Sequence, residues 1–217
     1  MGATPDHQDV AAALPLLRHW QAQRLARTYA DLVADPRYAP ATAFFLSDVY
    51  GERDFTERDR TIQRVMPLIR KTLPEASLAP IEQAMELHEL TTALDATLCE
   101  VLVGEVGMTD SLTEAAYAEG YRRCRNRQQR ERQIELLLAV GKHLDRVVAK
   151  PMLRHMLYLA RRPARLAGFG DVQEFLERGF KSFKHMGGAA EFIRTIESRE
   201  QTILDRLFAG HPRPFDP

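Results

Sequence analysis

The chain has 217 residues, 45% of them hydrophobic and 28% charged, which fits one soluble globular domain with a real core. Thirty basic residues balance thirty acidic ones, and a net charge of zero removes any whole-molecule attraction to nucleic acid or to an acidic membrane. Two cysteines, Cys99 and Cys124, make neither a disulfide framework nor a CxxC pair.

The opening MGATPDHQDV lacks the basic start and apolar run of a signal peptide. Asp6 stands where a myristoylation signal needs Ser or Thr. No apolar run approaches the length of a membrane span. The expected setting is reducing and cytoplasmic, of bacterial type.

The apolar spacing is helical nearly throughout, with no period-two alternation bounded by turns. It predicts an all-α, single-domain, multi-helix bundle of about eight or nine helices over residues 9–209. A flexible start, 1–8, and a Pro-rich tail, 210–217, flank it, the tail fraying or docking as extended chain. In order, helices are expected over Asp9–Ala34, Thr42–Tyr50, Phe55–Leu73, Leu78–Glu105, Leu112–Arg123, Arg127–Ala149, Pro151 to about Arg162, Val172–His185 and Ala190–Ala209. Asp54-x-x-Glu57, Ser111-x-x-Glu114 and Asp171-x-x-Glu174 read as capping boxes. Gly187-Gly188 reads as a helix stop.

The segment FFLSDVYGERDF joins two helices through Gly51. Its functional reading is that Asp48, Tyr50 and Arg53 line a site, or that Phe44 and Phe45 are exposed for docking.

The helix over Leu78–Glu105 carries polar residues on a buried flank. Stepped at about 100° per residue, Ile81, Met85, His88, Thr92, Asp95 and Cys99 share one side. The last helix places Glu200 inside the stripe Phe192, Ile193, Ile196, Ile203 and Leu207. A buried carboxylate must pair, hydrogen-bond or take up a proton. Arg130, in line with Ile134, Leu137 and Leu138, is the expected partner of Glu200. His88, Asp95, Arg130 and Glu200 are thus the candidate ligand-binding residues, and the competing reading makes them an internal polar network.

Other chemistry finds little support. There are no Glu-x-x-His pairs, no HExxH, no two histidines at i, i+4, no GxSxG, no P-loop and no GxGxxG. A lone axial histidine for haem needs no motif, and His88, His155 and His185 qualify, with Phe175, Phe180, Phe183 and Met186 as an apolar wall. Cys99 reads as packing. Cys124 sits among Arg122, Arg123, Arg125 and Arg127, which would lower the pKa of an exposed thiol. The cluster YRRCRNRQQRER, Tyr121–Arg132, is either an anion-binding surface or a set of paired surface arginines.

The stretches FFLSDVYGERDF, VGKHLDRVV and FLERGFKSFKHMGGAAEFIRTIESRE resemble an uncharacterised bacterial family of all-helical proteins, over about Tyr29 to Phe208. The resemblance implies a single helical domain and carries no activity, cofactor or catalytic residue. The leading expectation is a protein that binds a small molecule or tetrapyrrole in a polar pocket of the bundle. The alternative is a regulatory protein-interaction module without a pocket, and an enzyme ranks third, since no nucleophile–base pair assembles. The cofactor and oligomeric state are left open, and neither a membrane nor nucleic acid is an expected partner.

Overall fold

The computed structural model describes residues 7–49 and 75–216. Nine α-helices follow one another among the described residues: α1 His7–Thr28, α2 Ala30–Ala34, α3 Ala39–Phe44, α4 Glu75–Val101, α5 Glu114–Arg123, α6 Arg127–Val148, α7 Pro151–Leu166, α8 Gly170–Met186 and α9 Ala190–Phe208. The all-α expectation holds, and no strand occurs among the described residues. The helix expected over Phe55–Leu73, the Asp54 capping box, and Tyr50 and Arg53 lie outside them.

Two π-helical turns, Phe45–Val49 and Leu102–Val106, extend α3 and α4. The second closes at Gly107, whose φ of 80° is open to glycine at little cost. Gly187 ends α8 in the same left-handed region at φ 66°, so the helix stop falls where the sequence put it.

Several boundaries differ from expectation by a few residues, and four of the differences have a local reason. The first helix breaks at Tyr29, which leaves helical geometry and is buried while its hydroxyl reaches α9. Leu112 is drawn into the core, so α5 starts later, and Thr113 rather than Ser111 caps it by accepting from the Ala116 N–H at 3.2 Å. The α8 helix begins at Gly170, which moves Asp171 from the cap into the first turn, where its charge faces the positive end of the helix dipole. The α7 helix runs through Pro163 to Leu166. Pro163 and Leu159 are both exposed, so the turn that loses a hydrogen bond to proline lies at the surface.

The α6 helix is the hub, packed against α4, α7, α8 and α9. The apolar core forms two clusters. One joins the first half of α1 to the end of α4, α5 and the second half of α9, around Leu17, Leu98, Leu102, Tyr117 and Leu204. The other joins the end of α1 to α2, α3, α6, α8 and the first half of α9, around Tyr29, Ala41, Phe183, Met186 and Phe192. Ile134 on α6 packs against both. The tail docks rather than frays: Phe215 stacks edge-on against Trp20 at 5.5 Å and Tyr117 at 5.8 Å.

Candidate functional site

The seam between the two clusters is not filled. A cavity of about 110 Å³ lies there, bounded by α1, α4, α5, α6 and α9, with Phe45 and Leu46 of the first π-helical turn at one side. Its apolar wall comes from both clusters, including Leu25, Ile134, Phe192, Ile196 and Leu204. Its polar wall is Gln21 and Arg24 from α1, Tyr29 at the break after it, Thr42 from α3, Thr91 and Asp95 from α4, Tyr117 and Tyr121 from α5, Arg130 and Gln133 from α6, and Glu200 from α9.

Three of the four candidate residues meet here: Asp95, Arg130 and Glu200. His88 does not line the cavity and is exposed. Its helical phase matches that of Asp95, but full burial on that side of α4 begins only at Leu94 and Asp95, where Gln21 of α1 arrives. The expected Arg130–Glu200 pair is replaced. Glu200 Oε1 accepts from Arg24 Nη1 at 2.8 Å and from the Tyr29 hydroxyl at 2.7 Å. Arg130, 4% exposed, instead donates to Gln133 Oε1 at 3.3 Å and to the Leu94 carbonyl at 3.4 Å. Its guanidinium lies 4.5 Å from the centre of the Tyr121 ring, a cation–π contact.

The hydrogen-bonding account of the two arginines is incomplete. The Nε–H of Arg24 and that of Arg130 are both buried and have no partner among the described residues. A guanidinium has five donors in a fixed fork, and a buried one left unsatisfied costs about 1–3 kcal/mol or more. The pattern is unlike a closed polar network, in which each donor finds an acceptor.

Burial works against the charge on Arg24, but the Glu200 carboxylate, through its charge and its hydrogen bond, outweighs it and raises the pKa. Burial pushes the Asp95 carboxyl above its ordinary range, against the Gln21 hydrogen bond of 3.1 Å and the nearby Arg130 and Arg18 charges. Burial also raises both tyrosines, so Tyr117 and Tyr121 stand as neutral phenols. Two guanidiniums, Arg24 and Arg130, and two carboxyl groups, Asp95 and Glu200, thus line the cavity, with burial opposing the charge on Asp95.

Polar wall residues from α1 were not among the sequence candidates. Tyr117 and Tyr121 stand at i, i+4 on one face of α5, a spacing that could have pointed to their part of the wall.

The remaining candidates resolve individually. Phe44 is buried and Phe45 half-buried, packed against Phe183 and Phe192, which removes the exposed-phenylalanine docking surface. Cys99 is fully buried, its thiol pushed up to about 12 by that burial. Burial also raises Cys124, outweighing Arg130, so it is not the activated thiol its arginine neighbours suggested. Four arginines of the cluster are tied up internally: Arg122 and Arg123 to Glu119, Arg127 to Glu131 and Asp205, Arg132 to Glu86 and Glu135. His155 and His185 are exposed, and Phe183 and Met186 belong to the core. Among the described residues no group of three metal-ligating side chains forms, and no helix is long and apolar enough to cross a membrane.

No curated protein and no solved structure matches the chain. A family model matches residues 3–214, nearly the whole length. The chain therefore belongs to the family described as Domain of unknown function (DUF8198).

Proposed function

We propose that the domain binds a small organic anion in the cavity between α1, α4, α5, α6 and α9. The observation that carries this is the pair of buried guanidiniums, Arg24 and Arg130, each lining the cavity and each with an unpartnered Nε–H. A carboxylate or phosphate oxygen is the acceptor such forks are built to hold. Glu200 fixes Arg24 in place, and Tyr121 and Gln133 fix Arg130. The apolar wall suits a short hydrocarbon body behind the charged head.

Size limits the choice. A cavity of about 150 Å³ holds benzene, whereas pockets for drug-sized ligands run to about 300–1,000 Å³. At about 110 Å³ the site fits an acid of a few heavy atoms and not a tetrapyrrole. His88 has no part in it.

Native mass spectrometry of the protein as purified from cells, with an absorbance scan of the same sample, tests this reading. A mass excess matching a small acid, lost on denaturation and absent from Arg130→Met, is the expected result. An apo mass, together with thermal unfolding that no small acid shifts, would return these residues to the role of an internal network.

A further inference from the structure

The two carboxyl groups of the cavity wall are held differently. Glu200 is matched by a cation: its Oε1 accepts from Arg24 Nη1 at 2.8 Å and from the Tyr29 hydroxyl at 2.7 Å. Asp95 is only 6% exposed, and its Oδ1 accepts from the neutral amide of Gln21 at 3.1 Å. The charged and titratable groups around Asp95 are Arg18 from α1, Tyr117 from α5, Arg130 from α6 and Cys99 one turn along α4. Arg24 and Glu200 share the cavity wall with it. Burial raises Tyr117 and Cys99, so neither carries charge at neutral pH.

Arg130 joins Asp95 to the place where a ligand's charge would sit. Its Nη2 donates to the carbonyl of Leu94, the residue before Asp95, at 3.4 Å. The guanidinium therefore lies against the turn of α4 that carries Asp95. An acid oxygen taken by the Arg130 Nε–H would share that corner with the Asp95 carboxyl. The cavity of about 110 Å³ leaves the two little room to separate. Like charges about 4–6 Å apart disfavour each other inside a protein. At about 6 Å and an effective dielectric of about 20, the repulsion changes an equilibrium constant about hundredfold. A proton on Asp95 removes it. Asp95 suits that role because burial already favours its neutral form and its hydrogen bond comes from an uncharged amide. Glu200 does not suit it, because a proton there would strand the buried Arg24 charge.

We propose that the cavity binds its acid together with one proton, carried by Asp95, so that the site takes up the acid in its undissociated stoichiometry. This coupling rests on the anion-binding reading of the same cavity and adds its regulation by pH. The acid keeps its negative charge on the guanidiniums, and the proton comes from solvent. Affinity is then full while Asp95 holds its proton in the free protein. It falls by about tenfold per pH unit above that point, and levels off once Asp95 of the complex has also ionised.

The test follows the side-chain carboxyl carbon of Asp95 by NMR in the full chain, from about pH 4 to 9, with and without excess acetate. Asp95→Asn assigns the signal. The expected result is a transition that acetate moves upward by at least about one pH unit. Calorimetric titration with formate, acetate and propionate, each counted as the ionised acid, covers the same range. Wild-type affinity is expected to fall at least about tenfold as pH rises, and Asp95→Asn is expected to flatten that curve. An Asp95 transition that acetate binds without moving, or the same fall in Asp95→Asn, overturns the proton coupling and leaves anion binding standing. No binding of any of the three acids at any pH overturns the coupling and, if inorganic phosphate also fails to bind, the anion reading with it.

Discussion

Arg24 Nη1 lies 2.8 Å from Glu200 Oε1, joining the first helix to the last across 176 residues of sequence. The Tyr29 hydroxyl reaches the same oxygen. Both partners are largely shielded from water, with side-chain exposures of 11% and 16%. Removing one charge from such a pair strands the other, which costs about 3–5 kcal/mol, whereas replacing both with apolar groups is often neutral. Glu200→Gln is therefore expected to lower stability by about 3 kcal/mol in urea unfolding. Arg24→Met/Glu200→Leu is expected to be less destabilised than the single variant, and an additive loss would show that the pair is not coupled.

Asp95 gives a pH signature. Burial raises its folded pKa above the unfolded value of 3.8, so the folded state holds its proton more tightly. Its contribution to stability is full below that unfolded value and is lost as pH rises through the folded pKa. In Asp95→Asn the amide oxygen still accepts from Gln21 and no charge forms. The variant is expected to gain on wild type as pH rises from about 4 to 7, measured as the difference between two urea midpoints. A difference that is flat with pH would contradict the assignment.

Gly120 packs α5 against the end of α4 and the π-helical turn that extends it. A Cβ there would stand 2.7 Å from Leu102 Cδ2 and 3.3 Å from Leu98 Cδ1, and both leucines are fully buried. Gly120→Ala gains about 1 kcal/mol in helix propensity but forces the packing apart, at about 1–3 kcal/mol. Net destabilisation is expected, with partial recovery in Gly120→Ala/Leu102→Val. A stabilised Gly120→Ala would mean that the two helices separate freely.

Neither thiol is expected to be reactive in the folded protein. Burial holds Cys99 up near 12 and raises Cys124 as well. Alkylation at neutral pH should be slow for both and become rapid only on unfolding. Fast modification of Cys124 under native conditions would contradict its burial.

The stripes in the sequence located much of this architecture and part of the site. Asp95, Arg130 and Glu200 stood out because each interrupts an apolar stripe, and polar residues at core phase must be dealt with chemically. Helical phase says which side of a helix a residue occupies, but not how far the neighbouring helix extends. That is why His88 shared the phase of Asp95 and yet lies exposed. Pairing was misread for a related reason. Arg130 and Glu200 both face the seam, but Arg24, arriving from the far end of the sequence, takes the carboxylate. Nothing in the pattern around Arg24 set it apart from Arg27 or Arg18, since the break at Tyr29 that swings the chain toward α9 is a tertiary effect.

The most direct test of anion binding observes the two unpartnered donors themselves. In a ¹H–¹⁵N spectrum of the arginine side chains, the Nε–H signals of Arg24 and Arg130 are assigned through Arg24→Lys and Arg130→Lys. Formate, acetate, propionate and inorganic phosphate are then titrated in. The account predicts that at least one of these anions shifts both signals together along a saturable curve, while those of surface arginines such as Arg194 stay in place. Signals that no anion moves, or that drift in step with the surface arginines, would contradict it.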